Sequence, residues 1–192
     1  MNKRDFKLTN KQARFATIAG IVFLLLLLLD QLTKAWAAAE HVSQSEYFLG
    51  IIRLHYTENP GMAFSFFADN ETAMLIITIL TVFMIVGIAV IFFTLFKSNP
   101  PAQMCLAIIE AGAVGNLIDR LYLGRVRDFL DLDPMHFGVC NPADFCISLG
   151  AVALVIVILF ICSSSMFPLT KKWREESKRL DEEKKQKEKE KK

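Results

Sequence analysis

The chain has 192 residues, 53% of them hydrophobic, and a formal net charge of +2. This length suits a single domain, but the apolar content is higher than that of most soluble domains. Most charged residues lie at the two ends of the chain and between long apolar runs. The composition therefore excludes most soluble folds and indicates a membrane protein.

Four apolar segments are long enough to cross a bilayer as helices, which takes about 20 residues each. In chain order they cover residues 15–39, 73–96, 102–123 and 145–167, and they leave outer loops at 40–72 and 124–144. The second and fourth segments contain no charged residue, whereas the first and third contain several. The predicted fold class is an all-α membrane protein with four transmembrane helices.

The distribution of basic residues predicts the orientation. Four spans place both termini on one side, together with Lys97, and the basic segment 1–14 and the charged tail 168–192 make that side cytoplasmic. The tail itself is expected to be a solvated, frayed helix or disordered. A cleaved signal peptide is the alternative for the first span, but Asp30 and Lys34 interrupt it before any small-residue cleavage site.

The first outer loop has the composition of β-strands. Residues 46–64, EYFLGIIRLHYTENPGMAF, are rich in Ile, Phe, Tyr, His and Thr and end at a Pro-Gly turn signal. Because backbone at a membrane surface must satisfy its hydrogen bonds, we expect a small extracytoplasmic sheet here. Asp69 or Asn70 is expected to cap the second span.

Two charged residues interrupt the first span. Asp30 and Lys34 are four residues apart, so they lie on one helix face, one turn from each other. The spacing favours a mutually neutralising pair, with Lys34 extending outward to the membrane surface. The alternative is that Asp30 is an anchor or part of a pocket wall.

The third span combines small residues with polar ones. Its small-residue face allows close approach of another helix, and Asn116, Asp119 and Arg120 lie within about one turn. One interpretation is a buried clamp in which Arg120 holds a carboxylate through two hydrogen bonds. The other is a substrate site in which Asn116 and Arg120 reach a peptide carbonyl or a lipid head group. Glu110 lies deeper, with no assigned role.

The second outer loop concentrates carboxylates. Asp128, Asp131, Asp133 and Asp144 fall within the stretch RVRDFLDLDPMHFGVCNPADF, residues 125–145. Asp144 begins the fourth span, where a carboxylate suits the positive end of the helix dipole. Asp131 and Asp133 are expected to face solvent. Two close aspartates can share one proton and activate water, but the residues alone make this a possibility only.

Five motifs carry a family resemblance. They are DQLTK at 30–34, NPGMAFS at 59–65, GAVGNLIDR at 112–120, VRDF at 126–129 and NPAD at 141–144. They occur in the family order over all four spans and cover the chain from about residue 15 to residue 165. The chain in this respect resembles the lipoprotein signal peptidase family, signal peptidase II, of the aspartyl type.

The resemblance implies a membrane-embedded aspartic endopeptidase in residues 15–167, with the loop 40–58 as an outer β-cradle. Its catalytic residues would be Asp128 and Asp144, whereas the residues alone leave Asp119 and Asp128 as equal candidates to pair with Asp144. Substrate-binding or dyad-supporting roles are implied for seven residues: Asn59, Gly61, Asn116, Asp119, Arg120, Asn141 and Ala143. Asp30 and Lys34 match the family's first polar motif and are expected to be structural.

The implied substrate is a prolipoprotein, cleaved just before a diacylglyceryl-modified cysteine. Membrane lipid is the other expected partner; no metal, cofactor, nucleic acid or obligate protein partner is expected. The implied location is the bacterial inner membrane, with the active site at the outer face. Cys140 stands where the family often has Phe, and Glu110 where a small or apolar residue is usual. A Cys140–Cys146 disulfide is possible but not indicated.

Two alternatives remain at this point. A small ion- or proton-coupled transporter would use the intramembrane charges, including Glu110. A non-catalytic membrane scaffold would use the polar groups only to hold its helices together.

Overall fold

The computed structural model describes residues 10–43, 47–48, 50–60, 71–96, 99–132 and 138–161, and isolated tail positions between 175 and 186. Four long helices account for most of this part: α1 (Asn10–Glu40), α2 (Glu71–Thr94), α3 (Pro100–Leu123) and α4 (Pro142–Ile156). A π-helical turn, Val157–Ile161, continues α4. Each helix is long and apolar enough to cross a membrane, which confirms the predicted fold class.

Helix α3 lies at the centre of the bundle and packs against the other three helices. Twelve of its residues are buried, whereas the other helices expose large apolar side chains such as Leu28, Phe83 and Leu149. In a membrane those exposed side chains contact lipid. The central position of α3 shields its polar residues Gln103, Asn116 and Asp119 from lipid.

Small residues allow α3 and α4 to approach closely. A Cβ atom at Gly112 would collide with the backbone oxygen of Ala143, and one at Gly150 would lie 2.8 Å from Cγ1 of Ile109. Close packing of this kind is typical of small residues at membrane helix interfaces. It brings the beginning of α4 against the polar part of α3.

Both ends of α3 are fixed by the local sequence. The side chain of Asn99 accepts the backbone N–H of Ala102 at 3.2 Å, and prolines occupy the first helical turn. Gly124 ends the helix with a φ of 69°, a left-handed conformation that favours glycine. The chain then turns directly into the sheet.

A three-stranded antiparallel sheet covers one end of the bundle. Its strands are β1 (Arg53–Asn59), β2 (Val126–Asp131) and β3 (Val139–Cys140), in the order β1-β2-β3. Strand β1 confirms the small sheet predicted in the first outer loop. The other two strands come from the second outer loop, where no strand was predicted.

The pairing of β1 with β2 positions two polar side chains. Thr57 lies opposite Asp128 and Asn59 opposite Val126. Asn59 is therefore the diagonal neighbour of Asp128 on the same face of the sheet. Trp36 at the end of α1 packs edge-on against Phe129, with 6.4 Å between the ring centroids, so the sheet also contacts α1.

The prediction that Asp131 faces solvent is wrong. Its side chain is buried, and Oδ2 accepts hydrogen bonds from Nη2 and Nε of Arg53 at 2.5 and 2.9 Å. The cause is the strand register, which places Arg53 directly opposite Asp131. Several predicted features lie outside the described residues: Gly61, the candidate caps Asp69 and Asn70, Asp133 and most of the tail.

Three cysteines are described, and all of them are free thiols: Cys105, Cys140 and Cys146. The Cys140–Cys146 disulfide is therefore not formed. The thiol of Cys140 instead donates to the backbone oxygen of Leu130 at 3.4 Å.

Candidate active site

Asp128 is a residue of β2, and its side chain is buried. Only 2% of its surface is exposed. Its Oδ2 accepts a hydrogen bond from Nδ2 of Asn59 at 2.9 Å, and its Oδ1 accepts one from Nδ2 of Asn141 at 2.6 Å. Both carboxylate oxygens are thus held by amide groups from other segments of the chain.

Asp144 is fixed by the beginning of α4. Asn141 caps this helix: its Oδ1 accepts the backbone N–H of Asp144 at 3.1 Å, and Oδ2 of Asp144 accepts the backbone N–H of Asn141 at 3.0 Å. This reciprocal arrangement is a capping box. Oδ1 of Asp144 also accepts Nδ2 of Asn116 from α3 at 2.9 Å. The predicted placement of Asp144 at a helix N-terminus is confirmed.

Asn141 joins the two carboxylates. Its side-chain Nδ2 donates to Asp128, while its backbone N–H donates to Asp144. The same Nδ2 lies 3.2 Å from Oδ1 of Asn116. One asparagine therefore sets the relative position of Asp128 and Asp144, although sixteen positions separate them in the chain.

Burial changes the acidity of Asp128. Removal from water raises its pKa, and the charge of Asp144 adds to this effect, whereas the hydrogen bonds from Asn59 and Asn141 oppose it. The result is a pKa of about 6, well above the ordinary value. Burial likewise raises the pKa of the Cys140 thiol to about 12, helped by the negative charges of Asp144 and Asp128. Cys140 is consequently a protonated, packed neighbour of the carboxylates.

Lys34 does not extend outward, so that prediction is wrong. Its side chain is fully buried, and Nζ lies 3.0 Å from Oδ2 of Asp30, 2.8 Å from Oδ1 of Asn116 and 3.6 Å from Oδ2 of Asp119. The mutual neutralisation of Asp30 and Lys34 is found, but α3 supplies two more partners. These partners hold the ammonium group in the bundle.

The hydrogen bond from Lys34 also orients Asn116. Oδ1 of Asn116 accepts hydrogen bonds from Lys34 and Asn141, so Nδ2 is directed at Asp144. Asp30 meanwhile accepts the backbone N–H of Ala143 at 3.1 Å through Oδ1. Asp30 and Lys34 thus contact the two residues that flank Asp144 in space, Ala143 and Asn116.

Asp119 is paired with Arg127 and not with Arg120. Nη2 and Nε of Arg127 donate to Oδ1 and Oδ2 of Asp119 at 2.6 and 3.2 Å. A buried clamp, one of the two interpretations of the third span, therefore exists, but its cation comes from β2. Asp119 has no described hydrogen bond to Asp128 or Asp144, which favours Asp128 as the partner of Asp144.

Arg120 lies near the buried carboxylates. Its charge interacts with those of Asp144, Asp128 and Asp119, and Nη1 donates a long hydrogen bond of 3.4 Å to the backbone oxygen of Asn116. Among the described residues, no acceptor lies within hydrogen-bonding distance of its buried Nε. The guanidinium group is therefore available for a further acceptor beside Asp128 and Asp144.

Glu110 is separate from this constellation. It lines a cavity of about 240 Å³ between α1, α2 and α3, together with small and aromatic residues that include Gly20, Phe23, Phe92 and Ala107. Asp144 contacts α3 at Asn116, farther along the helix. Gly61 belongs to the predicted set but lies outside the described residues.

Two residues of this network were missed in the sequence. Arg127 and Gln31 are linked by a 3.1 Å hydrogen bond from Nη2 to Oε1, and Gln31 also donates to Asp30 and to the backbone oxygen of Gly115. Their positions in the sequence could have indicated a role, because Arg127 directly precedes Asp128 and Gln31 follows Asp30 inside an apolar span.

In the described residues, no group of three or more His, Cys, Asp or Glu side chains is arranged to hold a metal ion.

Comparison with known proteins identifies the family. Residues 22–160 match the model of the signal peptidase (SPase) II family of peptidases. The chain belongs to the signal peptidase II family. It is accordingly a membrane peptidase, and the match gives no support to a transporter.

Individual members of the signal peptidase II family agree with this assignment. The lipoprotein signal peptidase of Streptococcus pyogenes serotype M2 (strain MGAS10270) is 36% identical over 139 residues, which are 70% of this chain and 88% of the relative. That of serotype M5 (strain Manfredo) is 35% identical with the same coverage. The similarity therefore extends over nearly the whole length of both relatives.

Solved structures show the same architecture. A bacterial membrane enzyme determined by the in meso method at 2.3 Å resolution has a TM-score of 0.65 and 26% identity, over 74% of this chain and 88% of the other. A second, at 1.9 Å resolution, has a TM-score of 0.64 and 26% identity, over 74% and 93%.

Proposed function

We propose that this signal peptidase II removes signal peptides from prolipoproteins by an aspartic mechanism in which Asp128 and Asp144 are the catalytic pair. The observation that carries the proposal is the double role of Asn141, which donates to Oδ1 of Asp128 and Oδ2 of Asp144. Two carboxylates held by one residue form a site where a single water molecule can contact both. Membership of the family supports the peptidase activity.

The environments of the two carboxylates suit different tasks. Asp144 accepts hydrogen bonds from Asn116 and from the backbone of Asn141. Asp128 is buried, and burial raises its pKa to about 6, so it holds a proton more readily than an ordinary carboxyl group. We therefore assign Asp128 as the acid of the pair, which leaves Asp144 as the base.

The reaction then proceeds by proton exchange through water. Asp144 takes a proton from the water molecule, whose oxygen attacks the carbonyl carbon of the scissile peptide bond. Asp128 donates its proton to the developing oxyanion, giving a neutral tetrahedral diol. Collapse of the diol breaks the carbon–nitrogen bond, and Asp144 returns a proton to the leaving nitrogen. Asp128 regains its proton from the second hydroxyl, so both carboxyl groups end as they began.

The surrounding polar residues support this chemistry. Asn59, Asn116 and Asn141 fix the carboxylates, and Arg120 has hydrogen-bonding capacity for a substrate carbonyl. Asp30, Lys34, Asp119 and Ala143 hold the helices that carry them. A role for Gly61 beside Asn59 stays a prediction. No step requires a metal or a cofactor.

The proposed substrate is a prolipoprotein with a diacylglyceryl-modified cysteine, cleaved on the N-terminal side of that cysteine. The named relatives are lipoprotein signal peptidases, which supports this choice. We place the chain in the bacterial inner membrane, with both termini cytoplasmic and the aspartates at the outer face, because the basic segments 1–14 and 168–192 favour the cytoplasm. At that face the scissile bond and its lipid are both within reach.

Purified full-length protein and a diacylglyceryl-modified prolipoprotein test the proposal directly. We expect mass spectrometry to detect a product that begins at the lipidated cysteine, and we expect the same precursor without the lipid to remain uncleaved. Addition of EDTA should leave the rate unchanged. Cleavage at another bond would contradict the proposed specificity, and loss of cleavage in EDTA would contradict the aspartic mechanism.

A further inference from the structure

Arg127 connects the sheet to two membrane helices. Its Nη2 and Nε donate to the carboxylate of Asp119 on α3, and Nη2 also donates to Oε1 of Gln31 on α1 at 3.1 Å. Its backbone N–H donates to Oδ2 of Asp119 at 3.0 Å. Both the main chain and the side chain of this residue are therefore fixed by the same buried carboxylate.

The neighbouring residue on the strand is Asp128. Successive side chains of a strand point to opposite faces, so Arg127 turns to Asp119 while Asp128 turns to Asn59 and Asn141. The hydrogen bond to the backbone of Arg127 holds the strand immediately before Asp128. A shift of the strand at Arg127 would consequently shift the carboxylate of Asp128.

Arg127 also balances the buried charges. Asp30 and Asp119 are negative and Lys34 and Arg127 are positive, so the group is neutral overall. Lys34 lies 3.6 Å from Asp119 but 2.8 Å from Oδ1 of Asn116. Without Arg127, the uncompensated charge of Asp119 would attract Lys34 more strongly and weaken its hydrogen bond to Asn116.

We propose that Arg127 is a positioning residue for the catalytic pair: it fixes the strand beside Asp128 and, by neutralising Asp119, leaves Lys34 free to orient Asn116 towards Asp144. Among the described residues, the hydrogen bonds of its side chain go to Asp119 and Gln31 and not to the carboxylate of Asp128 or Asp144. The inference rests on the proposed function, because the positioned groups are those assigned to catalysis.

The test compares Arg127→Met, Arg127→Lys and the matched control Arg125→Met in cleavage of the lipid-modified precursor. Arg125 lies two residues earlier and, within the part of the chain that the structure describes, makes one exposed ion pair, with Glu58 at 3.5 Å. We expect Arg127→Met to lower kcat about 10- to 100-fold, because small misplacement of reacting groups is costly. KM should stay within about twofold, because substrate binding is not altered. Arg127→Lys, with the charge but without the forked geometry, should be intermediate, and Arg125→Met should match the wild type.

A double-mutant cycle with Asp119→Asn separates positioning from general loss of structure. Arg127→Met should lower kcat less in the Asp119→Asn background than in the wild type, because the charge it neutralises is then absent. A wild-type kcat in folded Arg127→Met, or a change confined to KM, would overturn the inference. If Arg127→Met does not fold, a wild-type kcat in Arg127→Lys would overturn it. Absence of cleavage by the wild-type chain would reject the proposed function and this inference with it.

Discussion

Replacement of Lys34 by Met removes the charge at the centre of the buried network while keeping a side chain of similar length. The ammonium group is fully buried and lies 3.0 Å from Asp30, 2.8 Å from Asn116 and 3.6 Å from Asp119. Arg127 remains on Asp119, but Asp30 loses its only described ion pair. Removal of one partner from a buried pair costs about 3–5 kcal/mol, because the other charge stays uncompensated.

The matched control is Arg125→Met, which removes a cation from an exposed pair. Arg125 and Glu58 are 57% and 50% exposed, and such pairs contribute about 0–1 kcal/mol. For a chain of this size, each kcal/mol of lost stability lowers Tm by about 2–4 °C. Lys34→Met should therefore unfold about 6–20 °C below the wild type. Arg125→Met should unfold within about 4 °C of it.

A thiol-reactive fluorescent dye follows both transitions in detergent, because the buried thiols of Cys105 and Cys140 become accessible on unfolding and add to the signal of the partly exposed Cys146. Lys34→Met should also cleave more slowly in the temperature range where it is folded, since Asn116 loses the hydrogen bond that orients it. Equal unfolding temperatures for Lys34→Met and Arg125→Met would refute the account of the buried network.

Two further changes test the packing and the electrostatics of the site. A Cβ atom at Gly115 would collide with the carboxylate of Asp30, so Gly115→Ala should lower both the unfolding temperature and the cleavage rate. Gly87→Ala is the control, because no atom lies within 4 Å of its new Cβ; this variant should be as stable as the wild type or up to about 1 kcal/mol more stable. Wild-type behaviour of Gly115→Ala would contradict the close packing. The second change concerns Asp128, whose pKa of about 6 in the folded state exceeds the ordinary value of about 3.9. Its contribution to stability is therefore fully present below about pH 4 and is lost as the pH rises through about 6, on the order of 3 kcal/mol. Asp128→Asn should lack this loss and become more stable than the wild type between pH 4 and pH 7, as measured by thermal unfolding; a difference that does not change with pH would count against burial of an ionisable Asp128.

The helices were predictable because their apolar runs are long and uninterrupted, which is a local property of the sequence. The partners of the buried charges were not predictable in the same way. Lys34 was expected to extend outward, since the sequence shows only its neighbour Asp30 on α1; its other partners, Asn116 and Asp119, belong to α3. Which polar groups meet depends on how the helices pack.

The sheet explains the remaining errors. Asp131 was expected in solvent because the D-L-D-P sequence has the composition of a turn, but strand pairing placed Arg53 opposite it. The clamp considered for the third span had Arg120 as its cation, yet the chain reversal at Gly124 brings Arg127 of β2 to Asp119. In both cases the partner is distant in the sequence.

The catalytic pair itself is tested most directly by the cleavage rates of Asp128→Asn and Asp144→Asn on the lipid-modified precursor. Asparagine keeps the shape of each side chain and, at position 144, an acceptor for the backbone N–H of Asn141. Asp131→Asn is the matched control, because it makes the same chemical change on the same strand at a carboxylate paired with Arg53. Each of the two single variants should lose at least about 10³-fold in kcat while remaining folded, whereas Asp131→Asn should continue to cleave. A folded Asp128→Asn or Asp144→Asn protein that cleaves at the wild-type rate would contradict the assignment.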